Sequence, residues 1–139
     1  MAITEAVKVR VRKRADNRCG YCLTQQEFVP LSLEIEHIIP KAKGGSDDED
    51  NIWLACRSCN LYKADQTEAI DTESQQPVPL FNPILQKWTD HFSWSEDGLR
   101  IIGRSAIGRA TVTALQLNNI YALTVRRHWV EAGWHPPSE

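Results

Sequence analysis

Apolar residues recur with two different periods along this chain of 139 residues. In Leu31-Ser32-Leu33-Glu34-Ile35-Glu36 they alternate with polar ones, the period of a half-buried strand. Leu33 and Ile35 are expected to face inward, with Glu34 and Glu36 on the opposite face and His37 at the strand's end. Ile52-Trp53-Leu54 is a short apolar run that predicts a second strand. Pro40, Gly44-Gly45 and Asp47-Asp48-Glu49-Asp50 mark the loop between them. Over residues 4–15 Val7 and Val11 recur four apart among basic side chains behind Thr4, which predicts a helix with Thr4 as N-cap. Val9 interrupts that stripe and leaves a strand open. Residues 57–64 predict a short helix with Asn60 and Lys63 on adjacent turns.

The second half has its own pattern. Residues 66–83 are polar and include Pro77, Pro79 and Pro83, the composition of a linker or extended strap. Residues 85–91 look helical. Phe92-Ser93-Trp94-Ser95 and Leu99-Arg100-Ile101-Ile102 flank Glu96-Asp97-Gly98, a hairpin signal. Ser105 is placed to cap a helix reaching Leu117. Asn118 or Asn119 is placed to cap a last helix that runs to Ala132 and stops at Gly133. The expected organisation is a domain over 1–65, a strap over 66–83 and a hairpin-and-helix extension over 84–139.

Composition changes this picture little: 42% hydrophobic and 24% charged residues are ordinary for a soluble globular protein. No stretch approaches a membrane span and the N-terminus lacks a signal-peptide core, so a cytoplasmic protein is expected. The net charge of -2 excludes an electrostatic grip on nucleic acid over the whole surface. The charge is uneven, however. Residues 1–18 carry Lys8, Arg10, Arg12, Lys13, Arg14 and Arg18, and such a local basic face can bind phosphates. No linear feature fixes the oligomeric state.

Candidate chemistry enters with the cysteines. Cys19-Gly20-Tyr21-Cys22 and Cys56-Arg57-Ser58-Cys59 each present two thiolates from one turn, and two such turns make the four-sulfur shell of a closed zinc site. Two disulfides would suit a secreted domain, but CxxC spacing without a secretion signal favours a metal. A closed shell offers no open position, so this zinc is expected to be structural. The 33 residues between the pairs leave room for a working loop. In that loop His37 suits a general base near neutrality, while Glu36 and the amide oxygen of Asn60, directly after the second pair, are hard ligands for a divalent ion.

Glu36-His37-Ile38-Ile39-Pro40, Lys43-Gly44-Gly45, Asn51-Ile52 and Cys56-Arg57-Ser58-Cys59-Asn60-Leu61-Tyr62-Lys63 resemble the HNH endonuclease family in its zinc-containing branch. The signature positions are His37, Asn51 and Asn60, separated by 13 and 8 residues. Asn60 stands where the name-giving residue is His, and Glu36 where Asp is common. The resemblance implies an α+β fold with a ββα-metal core over about residues 15–65, followed by the hairpin and helices. It further implies a metal-dependent endonuclease, acting on double-stranded DNA and nicking as a monomer. His37 would activate water, Glu36 and Asn60 would hold Mg²⁺ or Mn²⁺, and Asn51 would hydrogen-bond across the loop to orient His37. Lys63, Arg57 and Lys43 would lie near phosphates. The alternative is a zinc-stabilised nucleic-acid-binding module without catalysis.

Overall fold

The computed structural model describes residues 3–138, which form two units. The first gathers the residues up to Thr67 together with Asn82–Gln86. It opens with α1, Glu5–Arg14, where the Thr4 hydroxyl accepts from the Val7 N–H at 3.3 Å. Glu5 in its first turn and Arg12, Lys13 and Arg14 in its last complement the helix dipole. Val11 is fully buried whereas Val9 is 59% exposed, which explains the broken stripe: Val9 is a surface residue of a helix.

Two four-residue strands follow, β1 (Glu34–His37) and β2 (Ile52–Ala55), paired antiparallel with Glu36 opposite Trp53 and His37 opposite Ile52. α2, Arg57–Lys63, follows β2 directly and is capped by the Cys56 sulfur, which accepts from the Cys59 N–H. Strand, strand and helix thus form the ββα order, and Ala15, Leu33 and Leu54 make its apolar centre. The expected division of β1 into an inward Leu33/Ile35 face and an outward acidic face needs correction. Glu36 is 3% exposed while Ile35 is only half-buried, because α2 packs against the acidic face and supplies Lys63 as its partner.

The second unit comprises Glu68–Phe81 and the residues from Lys87 on. The stretch expected as a linker or strap is folded there. β3 (Glu68–Ile70) and β4 (Pro77–Pro79) pair antiparallel and pack against α4, Ala106–Ala114. Composition hid this hairpin because its anchor is polar. Asp71 is fully buried and takes Arg109 Nε at 2.8 Å and Nη2 at 3.0 Å, while the Ser74 hydroxyl donates to it at 2.7 Å. Helix α3 is only Trp88–His91, since residues 82–86 turn around the Asn82 side chain. β5 (Phe92–Trp94) and β6 (Ile101–Gly103) make the predicted hairpin, and α5 (Ile120–Glu131) is capped by Asn119. Arg126 is not at the surface. It is 3% exposed and donates to the Leu99 and Leu117 carbonyls. Among the described residues, no helix is long and apolar enough to cross a membrane.

The Asp71 anchor has a pH signature. Arg109 first and Ser74 second hold its carboxyl well below the usual carboxylate range. The folded value lies below the unfolded one of about 3.9, so the contribution is complete above that value and is lost as pH falls through the folded one. Acid-unfolding curves of the wild type and Asp71→Asn should therefore differ near neutrality and converge as the solution is acidified.

Candidate active site

The four cysteines come together. Their sulfurs lie within 4.8 Å of one another, with Cys22 and Cys56 3.6 Å apart, close to the edge of a tetrahedron whose centre-to-sulfur distance is ~2.3 Å. Main-chain N–H groups point at two of them, Tyr21 to Cys19 Sγ and Cys59 to Cys56 Sγ. Burial pushes the Cys19 thiol up, the hydrogen bond to Cys19 does the same to Cys59, and hydrogen bonds with Cys19, Cys56 and Cys59 pull Cys22 down. Four soft donors, three of them buried and Cys56 half-buried, lie at mutual distances that fit a tetrahedral cation, so this cluster can hold zinc.

The rest of the site is arranged as three polar groups around β1 and its following loop. At the end of β1, His37 Nε2 is 2.7 Å from Asp47 Oδ1, and Lys41 Nζ donates to Asp47 Oδ2 at 2.8 Å. Lys41 first, then His37, hold the Asp47 carboxyl below its ordinary range. The His37 side chain is 25% exposed.

Asn51 faces the loop from the other side. Its Oδ1 accepts from Ile39 N–H at 2.9 Å, and its Nδ2 donates to the Ile39 and Ser46 carbonyls at 3.0 and 2.8 Å. The loop can close this tightly because Gly44 adopts φ +86 and because any Cβ on Gly45 would collide with the Ile39 carbonyl.

On the helix side, Asn60 Nδ2 donates to Glu34 Oε1 at 2.7 Å and Arg57 pairs with Glu34 Oε2 at 3.1 Å. Glu36 lies deeper. Its Oε2 accepts from the Tyr21 hydroxyl at 2.9 Å and its Oε1 is 2.7 Å from Lys63 Nζ. Burial raises the Glu36 carboxyl while Lys63 opposes the shift.

Lys63, expected at a phosphate surface, is therefore placed elsewhere. It is 2% exposed and also donates to the His37 and Ile38 carbonyls, both at 3.1 Å, which ties α2 to the strand end. Arg57 and Lys43 are exposed, with Arg57 engaged by Glu34. Removing one member of a buried ion pair costs roughly 3–5 kcal/mol, far more than replacing both. Urea melts should accordingly show Lys63→Met strongly destabilised and Glu36→Gln/Lys63→Met substantially recovered.

Asn60, whose Nδ2 is engaged by Glu34, retains its carbonyl oxygen as a donor to a hard cation, whereas Glu36 Oε1 is ion-paired to Lys63 at 2.7 Å and would ligate such a cation only by exchanging that ammonium for it. Tyr21, Asp47 and Lys41 complete the constellation and are missed by a reading of the motifs. Tyr21 lies inside the first CxxC and Asp47 inside what reads as a solvated acidic run.

Residues 19–66 match the model of the HNH endonuclease family, which bears out the resemblance seen in the sequence over that segment. The chain is also similar to the Septu protein PtuB of Bacillus thuringiensis, 24% identical over 123 residues that cover 87% of this chain and 44% of that protein. The chain thus spans less than half the length of this curated relative. No solved structure matches it.

Proposed function

We propose that this protein is a metal-dependent endonuclease that hydrolyses phosphodiester bonds of double-stranded DNA, nicking one strand per site. The observation that carries the reading is His37. It is partly exposed at the end of β1, with Nε2 engaged by Asp47 and Nδ1 without a hydrogen-bond partner among the described residues. The residues around it belong to a segment matching a nuclease family.

In the proposed mechanism, water enters beside the scissile phosphate and gives a proton to His37 Nδ1 as its oxygen bonds to phosphorus. The bond from phosphorus to the 3′-oxygen breaks, and the product keeps a 5′-phosphate. Asn51 fixes the path of the chain after His37 by holding both the N–H and the carbonyl of Ile39. Lys63 holds the carbonyls of His37 and Ile38, so the strand end does not yield when the imidazole is loaded. Glu36 and the Asn60 carbonyl oxygen would hold Mg²⁺ or Mn²⁺, which when bound offsets charge on the pentacovalent phosphate and on the leaving oxygen. The cysteine cluster would hold Zn²⁺ in a structural role. Lys43 and Arg57, both exposed, supply positive charge to the phosphate backbone.

The test is relaxation of a supercoiled plasmid by the purified protein with Mg²⁺, Mn²⁺ or EDTA. Open circles that appear only with a divalent ion, ahead of linear product, are expected. DNA binding without cutting under either metal would favour the non-catalytic binding module.

A further inference from the structure

The acidic run after Gly45 is not a solvated tail of the loop. Glu49 is gripped by Arg10, whose Nε and Nη2 donate to its carboxylate at 2.9 to 3.3 Å, and Arg14 adds an ion pair at 3.6 Å. Asn51, two residues on, staples the main chain to Ile39 and Ser46. Asp47 therefore sits between two anchors, and its own carboxylate is divided between two partners. Oδ1 lies 2.7 Å from His37 Nε2 and Oδ2 takes Lys41 Nζ at 2.8 Å. A carboxylate is an acceptor only, so the neutral imidazole facing it carries its proton on Nε2 and leaves the lone pair on Nδ1.

We propose that Asp47 is a positioning residue for His37, fixing the tautomer and orientation in which Nδ1 is the base. The inference rests on the hydrolytic reading above. It adds a carboxylate–imidazole pair to a site whose motif residues contain no such partner for the ring. When water gives its proton to Nδ1, the imidazolium still donates from Nε2 to Asp47, and the carboxylate stabilises the positive charge formed there. Lys41 occupies the second carboxylate oxygen and limits rotation of Asp47 away from the ring.

The experiment compares single-turnover plasmid nicking by the wild type, Asp47→Ala, Asp47→Asn, His37→Ala and His37→Ala/Asp47→Ala. Thermal melts and zinc content show whether each is folded. Removing the partner that orients a metal-bound imidazole lowers activity by about 10- to 100-fold, and Asp47 is assigned the same orienting role toward a general base. That loss is expected for Asp47→Ala in the maximal rate, with the protein concentration giving half-maximal rate unchanged. Asp47→Asn keeps an oxygen that can accept from Nε2 and should regain part of the rate. The double variant should cut no more slowly than His37→Ala. Wild-type rates in Asp47→Ala, or an equal further drop in the His37→Ala background, would overturn the proposal.

A second arm does not depend on cleavage. In ¹H–¹⁵N spectra, with the His37 signals identified by their loss in His37→Ala, an Nε2-bound proton protected from water exchange should be present in the wild type, weakened in Asp47→Asn and absent in Asp47→Ala. A proton on Nδ1 instead would sink the inference even in an active enzyme. The hydrolytic reading fails differently, through a wild type that cuts nothing or a His37→Ala variant as fast as the wild type. The spectra would then still decide the Asp47 contact.

Discussion

Replacing His37 with alanine should lower the metal-dependent nicking rate by about 10²- to 10⁴-fold, the range that general base catalysis contributes. The substitution removes the ring that would receive the water proton and leaves the three local anchors intact. Asn51 binds main-chain groups of Ile39 and Ser46, Lys63 binds the His37 carbonyl rather than its side chain, and Glu36 keeps Tyr21. Melting temperature and zinc content should therefore stay near those of the wild type while the open-circle product disappears from the time course. A variant that relaxes plasmid at the wild-type rate in preparations free of contaminating nuclease would remove His37 from the mechanism.

Loss of the cysteine-bound ion should have the larger structural effect. Apparent zinc affinities of small four-ligand sites correspond to roughly 10–16 kcal/mol, which matches or exceeds the roughly 5–15 kcal/mol by which a whole domain is stable. Cys56 is both a member of the cluster and the N-cap of α2, and Tyr21 between Cys19 and Cys22 is fully buried against Glu36. Chelation, or Cys22→Ser or Cys59→Ser, should thus unravel β1, β2 and α2 together and abolish nicking. The second unit has a separate core that includes Phe81, Phe92, Ile101, Leu115 and Leu117, and its resonances should persist. Metal analysis of the untreated protein should give one zinc per chain. A fully folded first unit after chelation would refute the structural role.

Much of the first unit was legible because its signals are local. Alternation marked β1, spacing marked the cysteine turns, and Gly44-Gly45 marked the loop. Facing was less legible. Period-two reasoning puts Glu36 opposite Leu33 but cannot show that a helix from later in the chain covers that opposite face with a lysine. The same limit explains Asp47 and Glu49. As a run of four acids they look solvated, and only tertiary contact assigns one to His37 and the other to Arg10. In the second unit the β3–β4 hairpin has three-residue strands containing Pro77 and Pro79 and a polar anchor, so neither hydrophobic period nor propensity reveals it.

Asn51 grips its loop entirely through main-chain atoms. Such a staple reads the shape of the chain and is indifferent to the identity of the side chains it encloses. Ala42 and Lys43 project from the enclosed segment, both exposed. Substitutions at those two positions would therefore change what the loop presents to a ligand while the geometry around His37 stays fixed.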